Sequence, residues 1–272
     1  MRGGGAHFRW NSVWWASPMY FDAEGKINPY VFESWSGSDD KKVWTFKIAG
    51  NAAFSDGSKI TAADVKGSWE LATMPNTKNQ RVSQVLAGVV GYAEVNGGNG
   101  KELPGVVAKD DATVEVTLTA SDPIFFMRLG NHIVPIVKAS QARGEDGNEK
   151  PEFWLPANGG VTSGPFTMTE QDLDGGKFAF DVNAKFFGPK PKISRIEITS
   201  IEDAVAATEL LKKGEFQAHT ELVTSTIVKD LGPEFASGPT IPTSQHFWIN
   251  STRAPMEDPK VRQALIMAID RD

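Results

Sequence analysis

One stretch, Trp44 to Val65, constrains the fold more than any other. Trp44, Phe46 and Ile48 alternate with Thr45 and Lys47, the period-two pattern of a half-buried strand. Ser55-Asp56-Gly57 is a turn: Asp can bond backbone two residues on, and Gly accepts positive φ. Thr61 suits a helix N-cap, and Asp64 three residues later completes a capping box with Asp in place of Glu or Gln. Val65 and Trp69, four apart, give the helix one apolar face. The expected unit is strand, tight turn, short strand and a helix over 61–72.

The remaining chain alternates α and β signals. Met74-Pro75 breaks the helix, and a short helix is expected between Val82 and Tyr92, ending near Gly88 or Gly91. Val106–Ala108 and Thr113–Leu118 read as a hairpin around Lys109–Ala112. Asp122-Pro123 places a capping residue before a proline, predicting a helix through Leu129. His132–Val137 reads as buried and extended, Ala142–Lys150 as exposed, and Lys177–Asn183 as a strand. A helix opening at Glu202-Asp203 ends on Lys212, Lys213 and Gly214, and Glu215–Ala218 should return as a strand, an α/β crossover. Gln245–Asn250 reads as a strand, and Asp258-Pro259 opens a helix with Val261, Ala264, Leu265, Ala268 and Ile269 on one stripe. The pattern is that of an α/β fold.

Composition excludes several function classes. A net charge of −6 argues against general nucleic-acid binding. With no cysteine there is no disulfide or thiolate chemistry. No apolar run reaches the ~18 residues of a membrane span. No apolar core follows Met1–Gly5, so two readings stay open: a cytosolic protein, or one whose export signal has been removed. The four histidines, His7, His132, His219 and His246, show no metal-ligand spacing. No nucleophile elbow or dinucleotide loop is present, so neither catalysis nor a cofactor is expected.

The candidate ligand-contacting residues lie in three places. Trp10, Asn11, Trp14, Trp15 and Tyr20 form an aromatic cluster with interspersed polar groups. It is open to two readings: buried anchors, or indole faces stacked on a ligand with Asn and Ser giving directional bonds. Ser163 and Gly164 follow the glycine-rich Asn158-Gly159-Gly160, where backbone can come close to a ligand. His246 and Trp248 share the expected strand near 245–250.

Four stretches together resemble the extracellular solute-binding proteins of family 5, the peptide, nickel and oligosaccharide receptors of bacterial ABC importers. They are Trp44–Val65; Ser163-Gly164-Pro165-Phe166; Asn183 through Phe186-Phe187-Gly188 to Pro191; and Asp258–Arg271 with Val261-Arg262-Gln263-Ala264-Leu265. The resemblance implies a periplasmic binding protein-like fold of type II, in its large cluster with an extra subdomain. Its mixed sheet would be flanked by helices, residues 1–37 and 161–272 forming the main sheet domain and 38–160 a smaller inserted one. A second lobe would begin about where the chain ends, so the chain reads as a first lobe. The resemblance further implies a periplasmic, monomeric, non-enzymatic protein that captures a peptide or oligosaccharide and docks on an inner-membrane ABC permease. The tryptophan cluster tilts the expected solute slightly toward an oligosaccharide or another ring-bearing solute over a peptide. The rivals are a hydrolase of small peptides or sugars, and a sensory module contacting only protein.

Overall fold

The computed structural model describes residues 11–79, 81–172, 174–219, 231, 235 and 249–269. It divides into two compact units, Met1–Ala206 and Ala207–Asp272.

In the first unit, Met19–Phe21 (β1) and Ile27–Pro29 (β2) form a hairpin, turning at Gly25 with φ +78°. Phe32–Gly37 (β3), Val43–Ile48 (β4), Val106–Asp110 (β5) and Thr113–Thr117 (β6) form a four-stranded antiparallel sheet in the order β3-β4-β6-β5. Phe166–Asp172 (β7), Lys177–Val182 (β8) and Arg195–Thr199 (β9) form a three-stranded antiparallel sheet. Every named strand pair among the described residues is antiparallel.

The organising segment folds as its pattern dictates. Trp44, Phe46 and Ile48 are buried, with Phe46 stacked on Phe32 at 4.8 Å between ring centroids. The helix Ala62–Thr73 (α1) starts at Thr61, whose hydroxyl accepts from the Asp64 amide while the Asp64 carboxylate accepts from the Thr61 amide. Val65 and Trp69 lie fully buried beneath it. The helix stops at Thr73, before Pro75.

Other elements differ in extent. The helix expected after Asp122-Pro123 is the single turn Phe125–Arg128 (α4). Asp122 instead caps a turn, accepting from the Ile124 amide and pairing with Arg128 Nε at 3.0 Å. The short helix expected between Val82 and Tyr92 is Ser83–Leu86 (α2), ending just before Gly88, and a further helix, Tyr92–Asn96 (α3), starts after Gly91 at φ +86°. Ala139–Ala142 (α5) buries Ala142, so 142–150 is not exposed throughout.

Ala204–Lys212 (α6) runs across the boundary between the units. In the second unit, Glu215–Ala218 is not a strand; no partner strand is paired to it among the described residues, and isolated extended backbone forms no ladder. Pro259–Met267 (α7) begins as expected, with Asp258 accepting from the Lys260 amide at 2.8 Å and Pro259 at the first helical position.

Candidate functional site

Five of the sequence-derived candidates, Asn11, Trp14, Trp15, Ser163 and Gly164, fall on a junction of loops within the first unit. Residues 11–14 form a helical turn. The chain then runs extended past Ile136, with an isolated antiparallel bridge between Ala16 and Ile136. The Ile136 amide donates to Ala16 O at 2.9 Å. The return bond runs through a side chain: the Ala16 amide donates to Ser163 Oγ at 2.9 Å, and Ser163 Oγ donates to Ile136 O at 2.6 Å. Ser163 is fully buried, and its hydroxyl is a structural bridge between two backbone segments.

Gly164 sits beside it for a steric reason. Its amide donates to Trp14 O at 2.8 Å. A Cβ there would lie 2.5 Å from Trp14 C and 2.6 Å from Trp15 N, closer than any side chain tolerates. Asn183, buried, fixes the same loop: its Nδ2 donates to Gly164 O at 3.0 Å and its amide to Pro165 O at 2.8 Å.

The signature turn closes the junction from the other side. The Ser55 amide donates to Thr162 O, and the Thr162 amide donates to Ser55 Oγ. Asp56 pairs with Lys138 Nζ at 2.5 Å, and Lys185 Nζ donates to Asp56 O at 2.8 Å. Burial alone would raise the Asp56 carboxyl; the Lys138 ammonium and the Ser58 hydroxyl and amide outweigh it and hold the group at about 2.

The aromatic candidates separate. Trp15 is in the core at 4% exposure, tilted against Phe153. Trp14 is half-buried, its ring stacked on Trp154 at 5.9 Å and tilted onto Phe180 at 4.9 Å. Tyr20 is half-buried and meets Tyr30 edge-on at 5.6 Å, and Tyr30 also packs against Phe186 and Phe187. Burial pushes the Tyr30 hydroxyl well above its ordinary range, and the nearby Tyr20 adds to the shift. Asn11 Nδ2 reaches His132 O at 3.5 Å. Trp10, His246 and Trp248 lie outside the described residues.

Asn11, Trp14, Trp15, Ser163 and Gly164 are therefore brought to one junction, while Tyr20 belongs to a neighbouring aromatic group. Sequence reasoning missed Trp154, Phe180, His132 and Asn183 as junction partners. Asn183 opens one of the stretches carrying the resemblance, which is the signal that could have marked it. Two ring nitrogens here, Trp14 Nε1 and His132 Nδ1, are buried without a hydrogen-bond partner among the described residues, an uncommon state for buried polar atoms. Burial lowers the His132 pKa.

An open depression of about 600 Å³ lies elsewhere, lined by Lys66, Glu70, Glu102 and Arg143. Its central charge, Glu70, is committed to Arg143 Nη2 at 2.6 Å, to Lys66 and to the Leu103 amide. None of the candidate residues lines it. Among the described residues no group of three or more His, Asp or Glu side chains could hold a metal ion, and no helix is long and apolar enough to cross a membrane.

The sequence profile described as "Bacterial extracellular solute-binding proteins, family 5 Middle" matches residues 26–272. The chain belongs to this family. The family 5 chain is 29% identical over 258 residues to the periplasmic oligopeptide-binding protein OppA of Salmonella typhimurium, covering 92% of the chain and 46% of that relative. It is 26% identical over 257 residues to the periplasmic murein peptide-binding protein MppA of Escherichia coli, covering 91% of the chain and 46% of that relative. It thus spans about half the length of the curated relatives it matches. Its fold superposes on Haemophilus influenzae OppA in complex with the peptide RPPGFSPFR, with a TM-score of 0.77 at 20% identity, over 98% of this chain and 52% of that one. This is a periplasmic binding protein fold. Three of the four stretches that carry the family resemblance, around residues 55–58, 162–166 and 183–187, meet at the junction described above.

Proposed function

We propose that the chain is part of a receptor that captures a peptide outside the inner membrane and presents it to an ABC permease. Family membership supports the general role. The relatives named for oligopeptides and murein peptides support a peptide as the solute. An oligosaccharide loses its main argument: Trp15 is in the core, and Trp14 already packs against Trp154 and Phe180. Extended peptides are held mainly through backbone hydrogen bonds, which require polar groups beside an open edge rather than free indole faces. Asn11, Trp14 and Tyr20, all half-buried, are the side chains we assign to the wall that faces the peptide. Ser163 and Gly164 position that wall from behind. In this reading the protein is periplasmic and monomeric, performs no covalent chemistry, and the smaller subdomain comprises residues 38–160 together with β3, which pairs with β4 in one sheet. A two-walled receptor would hold its ligand by closure, the peptide favouring the closed state through contacts made only there.

The single observation that carries the reading is the family match across residues 26–272. Saturation-transfer NMR of the chain with pools of di- to pentapeptides and, separately, of di- to tetrasaccharides tests it. Peptide signals weakened by Asn11→Ala are the expected result. Transfer to saccharides alone, or peptide turnover in the sample, would overturn it.

A further inference from the structure

The chain contains three Asn-Gly and three Asp-Gly dipeptides, at 96–97, 99–100, 158–159, 56–57, 146–147 and 174–175. These pairs are chemically labile because glycine has no side chain to shield its amide nitrogen. That nitrogen can attack the preceding side-chain carbonyl carbon. Attack needs a free amide, and the structure separates the six on that criterion. The Gly97 amide donates to Ala93 O at 2.9 Å, and Gly159 donates to Pro156 O at 3.0 Å. Gly57 donates to Phe54 O at 2.9 Å, Gly147 to Gly144 O at 2.9 Å, and Gly175 to Asp172 Oδ1 at 2.8 Å. Asn158 is held a second time, its Nδ2 donating to Glu152 O at 2.8 Å. Only the Gly100 amide has no acceptor among the described residues.

Asn99 is exposed, flanked by Gly98 and Gly100, in the loop that follows α3. Its side chain makes no hydrogen bond among the described residues, and only its own amide is engaged, with Glu94 O at 2.8 Å. We propose that Asn99 is a site of spontaneous backbone-assisted deamidation, selected over the other two Asn-Gly pairs by the free Gly100 amide. Gly100 N forms a bond to Asn99 Cγ. The Cγ–NH₂ bond breaks, and the amide nitrogen leaves as ammonia with the proton lost from Gly100 N. The resulting succinimide adds water at one of its two carbonyls, giving aspartate or isoaspartate at position 99. The product carries one more negative charge beside the Glu94 carbonyl. In the isoaspartate form the main chain is one methylene longer within the loop. This inference is independent of the solute the protein takes.

The test is a time course of the native chain at mildly alkaline pH, read by peptide mapping with mass spectrometry and by enzymatic methylation of isoaspartate. Conversion at Asn99 should run several-fold ahead of Asn96 and Asn158, since a glycine amide must first give up its hydrogen bond at those sites. The same course in concentrated urea should bring the three sites to similar rates. Gly100→Ala, whose Cβ would meet only Val95 Cγ2 at 3.9 Å, should suppress conversion at 99 while the chain stays folded. Equal native rates at all three sites, or a native order identical to the urea order, would overturn the proposal.

Discussion

Replacing Ser163 with alanine distinguishes a structural bridge from a solute contact. The hydroxyl satisfies two buried groups, the Ala16 amide at 2.9 Å and the Ile136 carbonyl at 2.6 Å. Its removal strands both. A buried polar group left without its partner costs ~1–3 kcal/mol, so with two such groups Ser163→Ala should cost ~2–6 kcal/mol, the lower end applying if the two bridged segments close enough to bond directly. For a unit of this size each kcal/mol moves the midpoint by about 2–4 °C. Thermal and urea unfolding followed by tryptophan emission gives the global loss, and hydrogen exchange at the Ala16 amide gives the local one. A loss below ~0.5 kcal/mol, the usual range for a change that breaks nothing, with Ala16 exchange unchanged, would refute the bridge. So would a variant of wild-type stability that has lost only peptide binding.

Three further outcomes follow from the same geometry. Gly164→Ala drives a methyl to within 2.5–2.6 Å of the backbone of Trp14 and Trp15, and should destabilise by at least ~2 kcal/mol, measured by urea titration against Gly100→Ala as an unhindered control. Glu70→Ala strands the Leu103 amide and removes the carboxylate from Arg143, which keeps Gly147 O, in a site where Glu70 is 5% exposed, a loss of ~1–3 kcal/mol, with Glu70→Gln expected to retain part of it. Asp56 has a folded pKa of about 2 against an ordinary 3.8, so its contribution is present above about pH 4 and is lost as pH falls through 2. Because the side chain is 36% exposed, that contribution is about 1 kcal/mol or less; Lys138→Met should raise the Asp56 pKa, read by carboxyl NMR.

Much of the fold was legible where short-range chemistry dictates it. The Trp44–Ile48 alternation, the Thr61–Asp64 box, the hairpin around 109–112 and the Asp258-Pro259 start all depend on neighbours within a few residues. What was not legible depends on partners far along the chain. Asp122-Pro123 has the dipeptide of a long helix, yet Ile124 adopts φ −111° and only one turn forms. The site divides the same way. Trp14, Trp15, Ser163 and Gly164 carry the right residue types for contacting a solute, but whether a ring faces a ligand or Phe180, Trp154 and Phe153 is set by chain 138 to 166 residues distant. Hydroxyl and glycine signals are likewise the same for a ligand loop and for a close backbone crossing.

The meeting of three signature stretches at one crossing, with the Ser163 hydroxyl as its pin and Gly164 as its clearance, has a practical corollary. The residues that make such a chain recognisable are the fasteners of its frame. Two members could share every one of them and still carry unrelated cargo, so sorting such chains by what they transport calls for the rim positions that the fasteners leave free.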